Sequence, residues 1–235
     1  HEVTAFQVAL PWPTTAAVAI PNDGLPALTI ERSATSVTIA NADSSTPMRL
    51  VIDVATGAWT SWRTAAGELL AAPLTPCFFR APTDIDHANA RNGIATTWTD
   101  CGLDHLTSTV RLIEASPLSD GSVRLRVATT LRGSPSHSLG SPDKVGAVIE
   151  RESIALIYGD GEIVLDELLH IQAATPSLAR VGVRLALPGT FSEVTWLGRG
   201  PHENYPDRVA GAAVGRYVSS VKDLFTNYFY PQDCG

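Results

Sequence analysis

The sequence predicts an all-β chain, folded as an antiparallel sandwich or barrel, and three features carry that expectation. Short apolar runs at alternate positions recur along most of the 235 residues, the period of a strand with one buried face. Asn, Asp, Gly and Pro separate these runs at short spacing, as turns do. A sustained helical period is missing, although residues 91–101 fit a turn or two of helix. Many strands with little helix bury a core by packing sheet on sheet.

Taken in order, Val3 and Ala5, then Phe6, Val8 and Leu10 after a slip, mark a first strand. Pro11, Pro13 and the run TTAAVAIPNDG read as a linker over residues 11–26. Strands are expected at Ala27–Glu31, Ser36–Ala40 and Met48–Val54. The segment IDVATGAWTSWRTAAGELL contains a hairpin, with a polar turn at Asp53–Gly57 and Gly57 where positive φ is needed. Further strands fall at Thr107–Ala115, Ser122–Leu131, Val145–Tyr158, Glu162–Gln172, Arg180–Leu187 and Ser192–Leu197. Gly159-Asp160-Gly161 makes a tight hairpin of two of them. In VRLRVATTL, Val123, Leu125 and Val127 share a buried face, while Arg124 and Arg126 take the wet one. The Ser-, Gly- and Pro-rich run Arg132–Lys144 cannot bury enough apolar surface to order itself, so it reads as a mobile hairpin tip that leaves His137 exposed and inert.

Composition excludes several classes of function. A formal net charge of −7 argues against nucleic acid or an anionic membrane surface as partner. No run of about eighteen apolar residues occurs, and the N-terminus lacks the basic and apolar parts of a signal peptide. Cys77, Cys101 and Cys234 are odd in number and unpaired in spacing, as free thiols of a reducing cytoplasm are. The start at His1 rather than Met points to a piece of a longer chain. GRGPHE lacks the third glycine of a dinucleotide fingerprint, neither HEVTA nor HENYP completes HExxH, and no GxSxG elbow or P-loop is present.

The densest functional signal is WLGRGPHENYPDR, Trp196–Arg208, where two glycines and two prolines stiffen a loop bearing Arg199, His202, Glu203, Asn204, Asp207 and Arg208. This run resembles the GRGPxENYPDR segment of the C-terminal small-chain domain of glycoside hydrolase family 2 β-galactosidases, and SSVKDLFTNYFYPQ behind it is similar to the next segment of that domain. PLTPCFFRAPTDID, Pro73–Asp86, resembles that family's PLTPNFWRAPTDND, and HEVTAFQVALP at the start is similar to its GHEVAxxxFxLP. The motifs stand in the family's order and span nearly the whole chain.

That resemblance implies a supersandwich of the galactose mutarotase-like type over residues 27–235, preceded at residues 1–10 by the last strand of an immunoglobulin-like domain. It implies a non-catalytic domain that shapes the active site of a separate TIM barrel in a retaining enzyme for terminal β-D-galactosides such as lactose. Magnesium and sodium would be bound by other domains, with no cofactor in this chain. The partners implied are the remaining domains or large chain, and a galactoside in the complete enzyme. In the family the YPQ segment continues into further strands, so this chain alone is expected to expose sheet edges and to associate with itself or be marginally stable.

Candidate chemistry gathers at two places. Glycosidases need two carboxyl groups flanking the sugar, and Glu203 and Asp207 are the pair to test. Both sit in a turn-rich loop, and the family's catalytic glutamates belong to the barrel, so they read as caps and salt bridges. His202 with Glu203 fits a mutarotase-like acid and base, but neighbours in an extended loop point opposite ways. Arg80, Asp84, Asp86 and His87 are the second group. Its carboxylates resemble a hard-cation site without the loop spacing of one, and a buried Arg–Asp pair is the favoured reading. By resemblance, the loop His87–Ala95 approaches the barrel's active site. Arg80, Asp84, Asp86, His202, Glu203 and Asn204 are thus the candidate carbohydrate contacts. The alternative function is an autonomous carbohydrate-binding module using Arg80, His202 and Glu203. Aromatic residues such as Trp59, Trp62, Trp98 and Trp196 would line a sugar platform in that reading, or core in the other.

Overall fold

A computed structural model describes residues 24–43, 45–83, 85–87, 93–135, 145–173, 175, 177–202, 204 and 209–227. The chain divides into two compact units, Pro21–Pro188 and a second made of His1–Ile20 with Gly189–Gly235. The expected strand at residues 1–10, most of the 11–26 linker and the tip of the Arg132–Lys144 run with His137 lie outside the described residues.

The larger unit is an antiparallel sandwich. Its first sheet contains β1 (Leu28–Arg32), β2 (Ser36–Asn41), β3 (Arg49–Asp53), β4 (Trp59–Thr64), β5 (Gly67–Glu68) and β6 (Ala72–Cys77). A late strand, β11 (Gly182–Ala186), joins them in the order β1-β2-β3-β4-β6-β11, with β5 on β4. The second sheet holds β7 (Thr107–Pro117), β8 (Val123–Arg132), β9 (Val148–Ile157) and β10 (Ile163–Ile171), ordered β10-β9-β8-β7. Between them in sequence, Ile94–Asp100 forms α1, a helix of seven residues that buries Ala95 and Trp98.

The hairpins form where their turn residues permit. Asp53 accepts hydrogen bonds at Oδ1 from the Thr56 N–H and hydroxyl at 2.8 and 2.6 Å, and Gly57 sits beside it at φ +72°. The β9–β10 turn closes through the Gly161 N–H to the Tyr158 carbonyl at 3.0 Å, with Gly161 at φ +93°. Positive φ costs glycine little because it has no Cβ.

Alternation then decides what each face does. Val123, Leu125 and Val127 are buried, Arg124 is exposed and Arg126 half-exposed, as the pattern of β8 predicts. From Ala128 to Leu131 every residue is buried, so both faces of β8 are covered beyond that point. Two apolar clusters result. One joins Val37, Ile39, Leu50, Ile52 and Trp59 of the first sheet to Val123, Leu125, Val127, Ala155 and Ile157 of the second. The other gathers Phe78, Leu103, Leu131 and Ile149 around Ala95 and Trp98 of α1.

The second unit contains one described hairpin, β12 (Glu193–Gly200) paired with β13 (Ala213–Ser220). On one face Trp196 stacks on Tyr217, with centroids 5.3 Å apart. The Trp196 ring N–H donates to the Arg199 carbonyl at 3.0 Å and the Tyr217 hydroxyl to the Ala213 carbonyl at 2.9 Å. Arg199 in turn donates to the Ala212 carbonyl at 3.0 Å.

Candidate functional site

The Pro73–Asp86 motif forms β6 and the turn behind it, and two of its candidate residues meet there. Arg80 donates to Asp86 through Nη1 at 2.6 Å and Nη2 at 3.2 Å. The Thr83 N–H and hydroxyl add bonds to Asp86 Oδ2 at 2.7 and 2.9 Å. Burial works to raise the Asp86 pKa, but the bonds from Arg80 and Thr83 outweigh it and hold the carboxyl below its ordinary value. The guanidinium also lies 5.0 Å from the Trp98 ring centroid, a cation–π distance, and the Trp98 ring N–H donates to the Ser177 carbonyl at 2.8 Å. The clamp therefore ties the turn after β6 to α1. With side-chain exposures of 14% and 11%, Arg80 and Asp86 spend their polar atoms chiefly on this scaffold.

The other candidates are placed differently. Asp84 and Glu203 lie outside the described residues, as do Asp207 and Arg208. His87, His202 and Asn204 are exposed. His202 and Asn204 belong to the second unit, whereas Arg80 and Asp86 belong to the first. Among the described residues, no group of three or more His, Cys, Asp or Glu gathers to hold a metal ion. No described helix is long and apolar enough to cross a membrane.

Sequence reasoning missed a cleft within the larger unit, with a volume of about 550 Å³. Its apolar lining includes Pro73, Phe78, Leu103 and Leu131, and its polar lining Thr75, Asp104, His105, Ser108, Arg151 and Arg184. Arg151 is 5% exposed and forks onto Glu167, with Nε and Nη2 donating at 2.7 and 2.5 Å. The signal for this pair was present in sequence. Arg151 falls on the register of Ile149, Ser153, Ala155 and Ile157, which are buried, and Glu167 on that of Ile163 and Leu165 in the adjacent strand. A charge on a buried register calls for a partner across the ladder. Among the described residues, the Trp62 ring nitrogen and the Thr129 hydroxyl are buried and find no hydrogen-bond partner.

Among the described residues, the cleft is lined by one carboxyl, Asp104, with Oδ1 2.8 Å from His105 Nδ1. Glycoside hydrolysis by paired carboxylates needs a second one across the sugar. Outside the cleft lining, Glu167 pairs with Arg151, Glu152 with Arg126, and Glu68 accepts from the Ser61 hydroxyl and the Trp62 N–H, so each of these carboxylates holds structure.

Residues 44–235 match the family described as beta galactosidase small chain. The chain is similar to a beta-galactosidase of Priestia megaterium, 30% identical over 235 residues, which is 100% of this chain and 20% of that protein. It is 35% identical over 246 residues to a beta-galactosidase of Aeromonas hydrophila, covering 100% of this chain and 22% of the relative. A beta-galactosidase of Vibrio cholerae is 32% identical over 194 residues, covering 77% of this chain and 17% of its own. The chain thus spans about a fifth of the length of these relatives.

Proposed function

The chain belongs to the beta galactosidase small chain family, and from that membership we propose that it is a non-catalytic all-β domain which braces the active site of a complete β-galactosidase. The observation that carries this reading is that, among the described residues, the cleft is lined by a single carboxyl, Asp104. A retaining glycosidase uses two carboxyl groups about 5 Å apart, one as nucleophile and one as acid and base. In this reading both reside elsewhere in the longer polypeptide, which hydrolyses terminal β-D-galactosides such as lactose with retention in the cytoplasm. The magnesium and sodium of that enzyme are held there too. This chain contributes a stiff wall, and the Arg80–Asp86–Trp98 clamp sets where the turn behind β6 leaves the sandwich toward the active site.

The test is a hydrolysis assay on the purified chain with a chromogenic galactoside and with lactose. The expected result is no turnover from the chain alone. Activity should appear when the chain is recombined with the remainder of a β-galactosidase polypeptide. Turnover by the isolated chain at the rate of a complete enzyme would overturn the assignment.

A further inference from the structure

We propose that the cleft inside the larger unit is a carbohydrate site, suited to a neutral mono- or disaccharide; the choice of ligand class rests on the proposed β-galactosidase role. A volume of about 550 Å³ falls within the range of small-molecule sites, roughly 300–1,000 Å³. The lining is built for such a ligand in two respects. Pro73, which is exposed, and Phe79 and Leu106, which are half-buried, give it an accessible apolar wall, against which the C–H face of a pyranose packs. Hydrogen-bonding groups of both kinds face the same space.

Arg151 is the anchor. Its side chain is 6% exposed and lines the cleft. Glu167 occupies Nε and Nη2, and no hydrogen bond to a described residue takes Nη1. A buried arginine forked on one edge is held rigid, so its remaining N–H groups are preorganised donors. Arg184 on β11 also lines the cleft, and no ion pair or hydrogen bond to a described residue engages its guanidinium. Thr75 and the Asp104–His105 pair supply further donors and acceptors.

Charge decides between an anion and a neutral polyol. Arg151 and Arg184 are balanced by Glu167 and Asp104, so an anionic ligand meets no net positive field. A polyol takes donors and acceptors from such a balanced set without bringing a charge out of water.

The experiment is isothermal titration of the 235-residue chain with galactose, lactose and galacturonate, repeated on Arg184→Ala and on Thr75→Trp. Both substituted side chains are exposed, and urea midpoints verify that the variants fold. The expected result is saturable binding of galactose or lactose, weakened at least tenfold by Arg184→Ala and lost when Thr75→Trp fills the cleft. No saturable heat from the folded chain would overturn the proposal. So would sugar binding that survives both substitutions, or galacturonate binding more than tenfold tighter than galactose, which would make the ligand an anion. The two readings fail separately. Turnover by the isolated chain sinks the bracing role and leaves this titration standing, whereas silence from an inactive chain sinks only the site.

Discussion

At the scale of single residues, Asp86 shows what the densest polar motif of the first unit is for. Its carboxylate accepts from both Arg80 nitrogens and from the Thr83 N–H and hydroxyl, in a position only 11% exposed. Replacing it by asparagine keeps the shape but turns an N–H group toward a guanidinium. The expected loss is about 1.5–3 kcal/mol, the contribution of a charge-assisted hydrogen bond in a buried setting. The pH dependence has a definite sign. The pKa of Asp86 is depressed on folding, so its contribution is complete above the unfolded carboxylate value of about 3.9 and disappears as pH falls through the lower folded value. Urea titrations of wild type and Asp86→Asn should therefore differ at neutral pH and converge in strong acid. A difference that persists in acid would sink the electrostatic account. The clamp was readable in advance because Arg80 and Asp86 stand six apart around a proline and a threonine. The Arg151–Glu167 pair went unread because its partners lie sixteen residues apart, and only the strand register brings them together.

At the scale of elements, turn chemistry was the most legible feature. The Asp53–Gly57 turn places Gly57 at φ +72°, and a Cβ there would stand 2.8 Å from Val127 Cγ1. Backbone strain and contact with the facing sheet act together, so Gly57→Ala is expected to destabilise by about 1–3 kcal/mol. Equilibrium urea unfolding reads this directly, and a variant as stable as wild type would show that the turn relaxes freely. The β9–β10 hairpin was read from the same kind of local signal, and the short helix at Ile94–Asp100 falls within residues 91–101, where a turn or two of helix is expected. Two strands were not legible in this way. β6 carries Pro73 and Pro76, residues that ordinarily argue against a strand, and it exists because β4 and β11 flank it. In β13 the face of Val214, Arg216 and Val218 mixes apolar and charged groups, while its opposite face carries Ala213, Gly215, Tyr217 and Ser219. No period of two in polarity marks that strand, and its pairing with β12 alone defines it.

At the scale of the whole molecule, the sandwich class follows from sequence because alternation and turns are local, whereas the order of strands does not, because β11 returns to the first sheet after the entire second sheet. That return has a consequence for association. Among the described residues β11 ends its sheet, and Val181, Val183, Leu185 and Leu187 are exposed by 63%, 40%, 40% and 49%. An apolar edge strand with free backbone groups is a template for further pairing. Arg184 at its centre is the one polar side chain of the strand, and no lysine or proline blunts it. The chain is therefore expected to self-associate through β11 when no other part of a β-galactosidase covers it. Sedimentation velocity over a range of concentrations should show a reversible shift toward larger species, and Val183→Lys with Leu185→Lys should suppress it by placing charge on the edge. A monomer at all concentrations would refute the association, and an unchanged shift in the lysine variant would place the contact elsewhere. The same substitutions separate edge pairing from sugar binding, because a cleft ligand held by Arg151 on β9 leaves the outer edge of β11 free to pair.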